Sequence, residues 1–175
     1  MLELASLGAG VLHSRSVEFA KKFGVPIHVR SSATGEPGTM VVAEAESSSS
    51  PVSGAALTKN EARITLHGVP DRPGSSLKIF TKMAEANIPI DMIVQNVGAE
   101  GRAEVSFTVV EDDLTATRAA VAEVVEEIGA EGFSCAEDVA KVSVVGLGMA
   151  QQSGVAKRMF RTLAEAGINL RMITT

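Results

Sequence analysis

The chain has 175 residues, 45% hydrophobic but only 3% aromatic, with neither tryptophan nor tyrosine and a formal net charge of −5. Nucleic-acid binding is disfavoured, because few rings can stack on bases and the net charge repels phosphate; no apolar run approaches the roughly 20 residues of a membrane span, and no charged-then-apolar leader opens the sequence. The lone Cys135 can form no internal disulfide, so the expectation is a soluble, cytoplasmic protein that meets neither membrane nor nucleic acid.

From the front, apolar residues at Leu4, Leu7, Val11 and Leu12 and then at Val17, Phe19 and Ala20 predict two short helices. The second is capped by Ser14 or Ser16 and stopped by Gly24. Strands follow at Val25 to Arg30 and Thr39 to Ala43, joined by the turn-rich Ser31 to Gly38. Ser47 to Ser50, with Pro51 and Gly54 beyond, is apolar-poor and predicts a linker or exposed loop.

An alternating run at Ile64 and Leu66 then ends at Gly68, and a polar loop leads into a helix with Leu77, Phe80, Met83 and Ala84 on one face. Asn87 suits its left-handed stop, and Ile90 and Met92 open a second alternating run. Ala99 to Arg102 predicts a tight turn before a strand over Ala103 to Val110. Asp112 or Asp113 caps a helix over Leu114 to Ile128, with Leu114, Val121, Val124, Val125 and Ile128 on its apolar face; Gly129 ends it, and a short strand lies near Phe133 to Ala136. The order βαββαβ predicts an α+β, ferredoxin-like fold, an antiparallel sheet with both helices on one face.

Val142 to Thr175 then repeats Ile64 to Asn96. Gly68 aligns with Gly146, and Phe80, Ala84, Ile88, Ile90 and Met92 align with Phe160, Ala164, Ile168, Leu170 and Met172, once two residues are added to the second loop. Val155, Met159, Leu163 and Ala164 form the second helix's apolar face, and Gly167 its stop. This copy stops after β, α, β, so it needs a continuation of the chain, the strands at 25–43, or both to cover its apolar faces.

These segments resemble the tandem ACT domains in the regulatory region of bacterial aspartate kinase. The resemblance rests on VPIHVRSSATGEPGT at Val25 to Thr39, on GVPDRPGSSLKIFTKMAEANIPIDMIVQN from Gly68, and on KVSVVGLGMAQQSGVAKRMFRTLAEAGINLRMITT from Lys141. Leu4 to Phe23 is similar to the end of the kinase domain. The resemblance implies that 1–24 is this helical segment, 25–46 gives strands to the second ACT domain, 47–60 is a linker, 61–138 is the first ACT domain inserted into the second, and 139–175 is the second, incomplete at its end. The kinase core, with its ATP and magnesium sites, has no counterpart here, so no cofactor and no catalytic residue is expected in this chain. A chain opening at Met1 resembles a separate regulatory subunit made from an internal start, and a cut chain would look the same.

The residues themselves assemble no catalytic constellation. His13, His28 and His67 have no ligand spacing with one another or with Cys135; Gly146-Leu-Gly148 lacks the third glycine of a dinucleotide loop, and Glu111-Asp112-Asp113 suits a helix N-terminus better than a metal. What remains is the loop at each helix entrance, Val69 to Ser76 and Leu147 to Val155, where unsatisfied N–H groups and glycine suit a carboxylate. Asp71, Asp91, Gln95 and Asn169 are candidate acceptors for an ammonium; turn and N-cap chemistry alone is the plain alternative.

The resemblance implies an effector site for threonine, lysine or both, shared between the ACT domains of two chains of a homodimer. Its residues are Asp71, Gly74, Ser75, Ser76, Ile90, Asp91 and Gln95 in the first copy, and Met149, Ser153, Gly154, Asn169, Leu170, Thr174 and Thr175 in the second. It further implies feedback inhibition of a catalytic aspartate kinase subunit or domain. Two departures stand out: Pro89 replaces a frequent asparagine, and the family's serine-glutamate-isoleucine does not follow Thr175. A purely structural dimerisation module, or an ACT regulator of another amino-acid enzyme, is the alternative.

Overall fold

The fold is seen in a computed structural model, which describes residues 1–43, 51–98, 100–146, 149 and 153–175. The Ser47 to Ser50 linker, Ala99 of the predicted turn, and 147, 148 and 150–152 of the second helix-entrance loop lie outside the described residues. Along the chain run α1 (Leu2–Ser6), α2 (Ser14–Phe23), β1 (Ile27–Val29), β2 (Thr39–Val41), β3 (Gly54–Pro70), α3 (Ser75–Glu85), β4 (Ile93–Val97), β5 (Arg102–Val110), α4 (Leu114–Ile128), β6 (Gly132–Val145) and α5 (Val155–Glu165). They divide into two compact units: Lys59–Lys141, inserted between Met1–Thr58 and Val142–Arg171 of the other, is grouped with the last four residues, Met172–Thr175.

The inserted unit carries a four-stranded sheet in the order β4-β5-β3-β6. β3 pairs antiparallel with β5, setting Ile64 opposite Phe107 and Leu66 opposite Val105, and β5 pairs antiparallel with β4. Because side chains alternate across a strand, Ala62, Ile64 and Leu66 share one face with Val105, Phe107 and Val109. Against that face pack Ile79 and Met83 of α3 and Val121, Val124 and Ile128 of α4, all buried, and Phe80 meets Phe107 edge to face with centroids 6.0 Å apart. This is the expected split βαβ arrangement.

Details differ from the sequence expectation. The inward face of α3 is Ser75, Ile79 and Met83, whereas Leu77 is 71% exposed and Ala84 is exposed too. Both stripes have helical spacing, and the direction in which the helix crosses the sheet decides between them. The short strand near Phe133 and the alternation at Val142 are one strand, β6. β4 begins only at Ile93, so Ile90 and Met92 precede it, and α4 follows a short 3₁₀ turn at Glu111–Asp113 with no side-chain cap from Asp113. β3 bulges between Leu66 and Val69, where Gly68 has φ 60°; a Cβ there would run into the Glu131 side chain.

The other unit begins with α1 and α2. The α2 N-cap is His13, whose Nδ1 accepts from the Arg15 amide at 3.2 Å, and Ser14 is already helical; Gly24 closes the helix at φ 65° as expected. β1 and β2 pair with each other in a separate two-stranded sheet, and neither neighbours β6. The Ser53 amide donates to the Val145 carbonyl at 2.8 Å. α5 buries none of its residues, and its Val155, Met159 and Leu163 line a cavity of about 330 Å³ with Val142 and Val144. No strand is found over Ile168–Met172, where the repeat predicts one.

Candidate functional site

In the first copy Pro70 ends β3, and the loop that follows is tied down at three points. The Asp71 amide donates to the Gly101 carbonyl of the β4–β5 turn at 2.8 Å, the Arg72 amide to Pro70 at 2.9 Å, and the buried Ser75 hydroxyl to the Pro70 carbonyl at 2.7 Å. Gly74 is the N-cap of α3 at φ 97°, a conformation that glycine adopts without strain. It supplies no side-chain cap, and a Cβ there would meet nothing within 4 Å. The space beside Gly74 is therefore open, while Ser75 behind it is buried and donates its amide to the Arg72 carbonyl at 3.2 Å.

From that turn the Ser76 hydroxyl donates to Gln95 Oε1 at 3.0 Å, so helix entrance and β4 are joined directly. Ile90 packs against the core, whereas Asp91 is held at both ends: its amide donates to the Thr108 carbonyl at 3.1 Å, and its carboxylate receives the Lys141 ammonium. Asp91 and Gln95 are four residues apart, roughly 13 Å along extended chain. Within one chain the candidates thus form two patches, Ser76 with Gln95 and Asp91 with Lys141.

The second copy repeats the geometry of the helix entrance. Gly154 is the N-cap of α5 at φ 102°, again with no side-chain cap and nothing within 4 Å of an added Cβ. Ser153, Asn169 and Leu170 are exposed, and Met149 is half-buried. Thr174 and Thr175 are exposed and group with the inserted unit rather than with α5.

Three features escaped the sequence reading. Lys141 stands fifty positions from Asp91, and no local pattern links them. Thr108 supports the start of the second run by donating its amide to the Met92 carbonyl at 3.1 Å and accepting from the Met92 amide at Oγ1, 3.3 Å away. His67 is bridged by Glu104 at 3.0 Å and Ser134 at 2.9 Å, which ties β3 to β5 and β6. Strand alternation places His67 on the polar face, but register is needed to find its partners. Among the described residues no three His, Cys, Asp or Glu side chains gather as a metal site, and no helix is long and apolar enough to cross a membrane.

Comparison with known proteins defines the class. The ACT domain profile matches residues 64–125 and 142–175. An aspartate kinase of Pseudomonas fluorescens is 45% identical over the whole of this chain, and the chain spans 43% of its length. The crystal structure of the regulatory subunit of aspartate kinase from Thermus flavus is 40% identical, with a TM-score of 0.67 over 72% of this chain and 83% of that one. E. coli aspartokinase III in complex with lysine and aspartate is 26% identical, with a TM-score of 0.71 over 99% of this chain and 38% of that one. The chain belongs to the ACT-domain family, and within it to the regulatory parts of aspartate kinases.

Proposed function

We propose that the chain senses threonine, lysine or both in the cytoplasm and relays their level to a catalytic aspartate kinase subunit or domain. Aspartate phosphorylation would then fall as the amino acids made from it accumulate, which is feedback inhibition of lysine, threonine and methionine biosynthesis. The observation that carries the reading is the helix entrance written twice, at Gly74 and Gly154, each with a positive φ, no side-chain cap and no described atom within 4 Å of an added Cβ. Such an end suits a carboxylate, and an α-amino acid adds an ammonium that needs an acceptor.

The two patches of the first copy support a site shared between two chains. One chain's two patches are separated by roughly 13 Å of extended backbone, and a pocket made by the loop of one protomer and the strand start of its partner would bring such groups to one short ligand. A ligand clamped in this way shifts the dimer toward the arrangement that holds it, by the difference in its affinity for the two arrangements.

Titration calorimetry of the folded protein with the twenty amino acids is the direct test. Threonine or lysine, or both, should bind; no heat from either removes the sensor reading. Asp71→Ala or Gln95→Ala should weaken first-site binding about tenfold, as expected for loss of a hydrogen bond to a charged group. Unchanged affinity in both variants would put the ligand elsewhere.

A further inference from the structure

Of the seven first-copy candidates only Asp71 and Asp91 are anionic, and the two differ in availability. Asp71 is exposed and its carboxylate has no ion pair among the described residues, whereas the Asp91 carboxylate holds the Lys141 ammonium. The Lys141 side chain is only 14% exposed, against 44% for Asp91. A cation so far withdrawn from water depends on its partner, because separating the pair leaves a desolvated charge uncompensated. An incoming ammonium therefore cannot simply take the place of Lys141.

We propose, resting on the amino-acid-sensing reading, that Lys141 is a specificity-determining residue of the first-copy site. By neutralising Asp91 it leaves one free carboxylate, enough for the α-ammonium of an effector with a neutral side chain. Lysine brings a second ammonium, which finds no further free carboxylate among these candidates and meets the positive charge of Lys141. The site consequently favours a neutral hydroxyl-bearing effector over a cationic one, and removing the Lys141 charge opens Asp91 to a cationic side chain.

The experiment is calorimetry with threonine and lysine on the intact wild-type chain and on Lys141→Met, Lys141→Gln and Lys141→Arg, each first checked for native circular dichroism. The Met and Gln variants are alternatives should one fail to fold. In either, lysine affinity should rise about fivefold or more relative to threonine, while Arg, which keeps the charge, holds the wild-type ratio. A merely structural role would weaken both ligands together and leave their ratio alone. The inference is overturned if wild type binds an effector but loss of the charge leaves the lysine-to-threonine ratio within twofold or lowers it. Wild type binding neither amino acid would instead sink the sensing reading itself.

Discussion

Gly74 and Ser75 show how adjacent residues divide a task. Gly74 adopts φ 97° at the N-cap, and Ser75 turns its hydroxyl back onto Pro70. An alanine at Gly74 has room for its Cβ but must hold a backbone angle that costs an L-residue about 1 kcal/mol. Gly74→Ala is therefore expected to lower unfolding stability in urea by about that amount and to weaken effector binding by crowding the approach to the first turn. Both glycines at the helix entrances were legible in the sequence, since few other residues serve there. Lys141 was not, because its role comes from a contact made only after β6 has taken its place in the sheet.

α3 provides a sharper contrast between periodicity and packing. Its buried stripe is Ser75, Ile79 and Met83, so Met83→Ala should cost about 2–5 kcal/mol in chemical unfolding, and Leu77→Ala less than about 0.5 kcal/mol. The sequence favoured Leu77 because a leucine three positions before Phe80 completes an equally good stripe, and only the crossing over Phe107 separates the two. α4 was more legible, because its apolar residues lie on a single face and all five named ones are buried. The outer edges of the two helices are joined by Lys78 to Glu127 at 2.7 Å and by Lys82 to Glu123 at 2.5 Å. The hydrogen bond from Lys78, and then its charge, holds the Glu127 carboxyl below its ordinary value; the hydrogen bond that Lys82 donates to Glu123, and then the Glu123 charge, raises Lys82. The Glu127 contribution is thus present above pH 4.5 and fades as the pH falls through its lower folded value; that of Lys82 is present below pH 10.5 and fades as the pH rises through its higher one. Glu127→Gln should lower the melting temperature at pH 7 in dilute buffer, and the difference should shrink in 1 M salt and vanish in acid below the Glu127 transition.

For the whole molecule, the repeat was the most legible property and its unequal completion the least. Ile64, Leu66, Ile79 and Met83 are fully buried beneath β5 and α4, and their repeat partners Val142, Val144, Met159 and Leu163 line a cavity instead. Leu163→Ala should therefore cost less than about 1 kcal/mol in this chain, well short of the loss expected at Met83. The apolar pattern gives each copy the same strand, helix and strand, but pairing depends on partners far away: β1 joins β2, and Ile168–Met172 forms no strand. If the effector is held between two chains, binding and dimerisation must be linked. Sedimentation at dilute protein should then shift toward dimer when threonine or lysine is added, and a mass indifferent to both would argue against a shared site.

The latch formed by Ser75 on Pro70 has a counterpart that cannot work in the same way, for the repeat places Val155 at that position and valine has no hydroxyl to give. If both copies take an effector, this difference of one hydroxyl makes them unequal, and they need not answer at one concentration. A molecule with two unequal thresholds can report scarcity, sufficiency and surplus as separate conditions, where two matched copies would merely have made a single alarm louder.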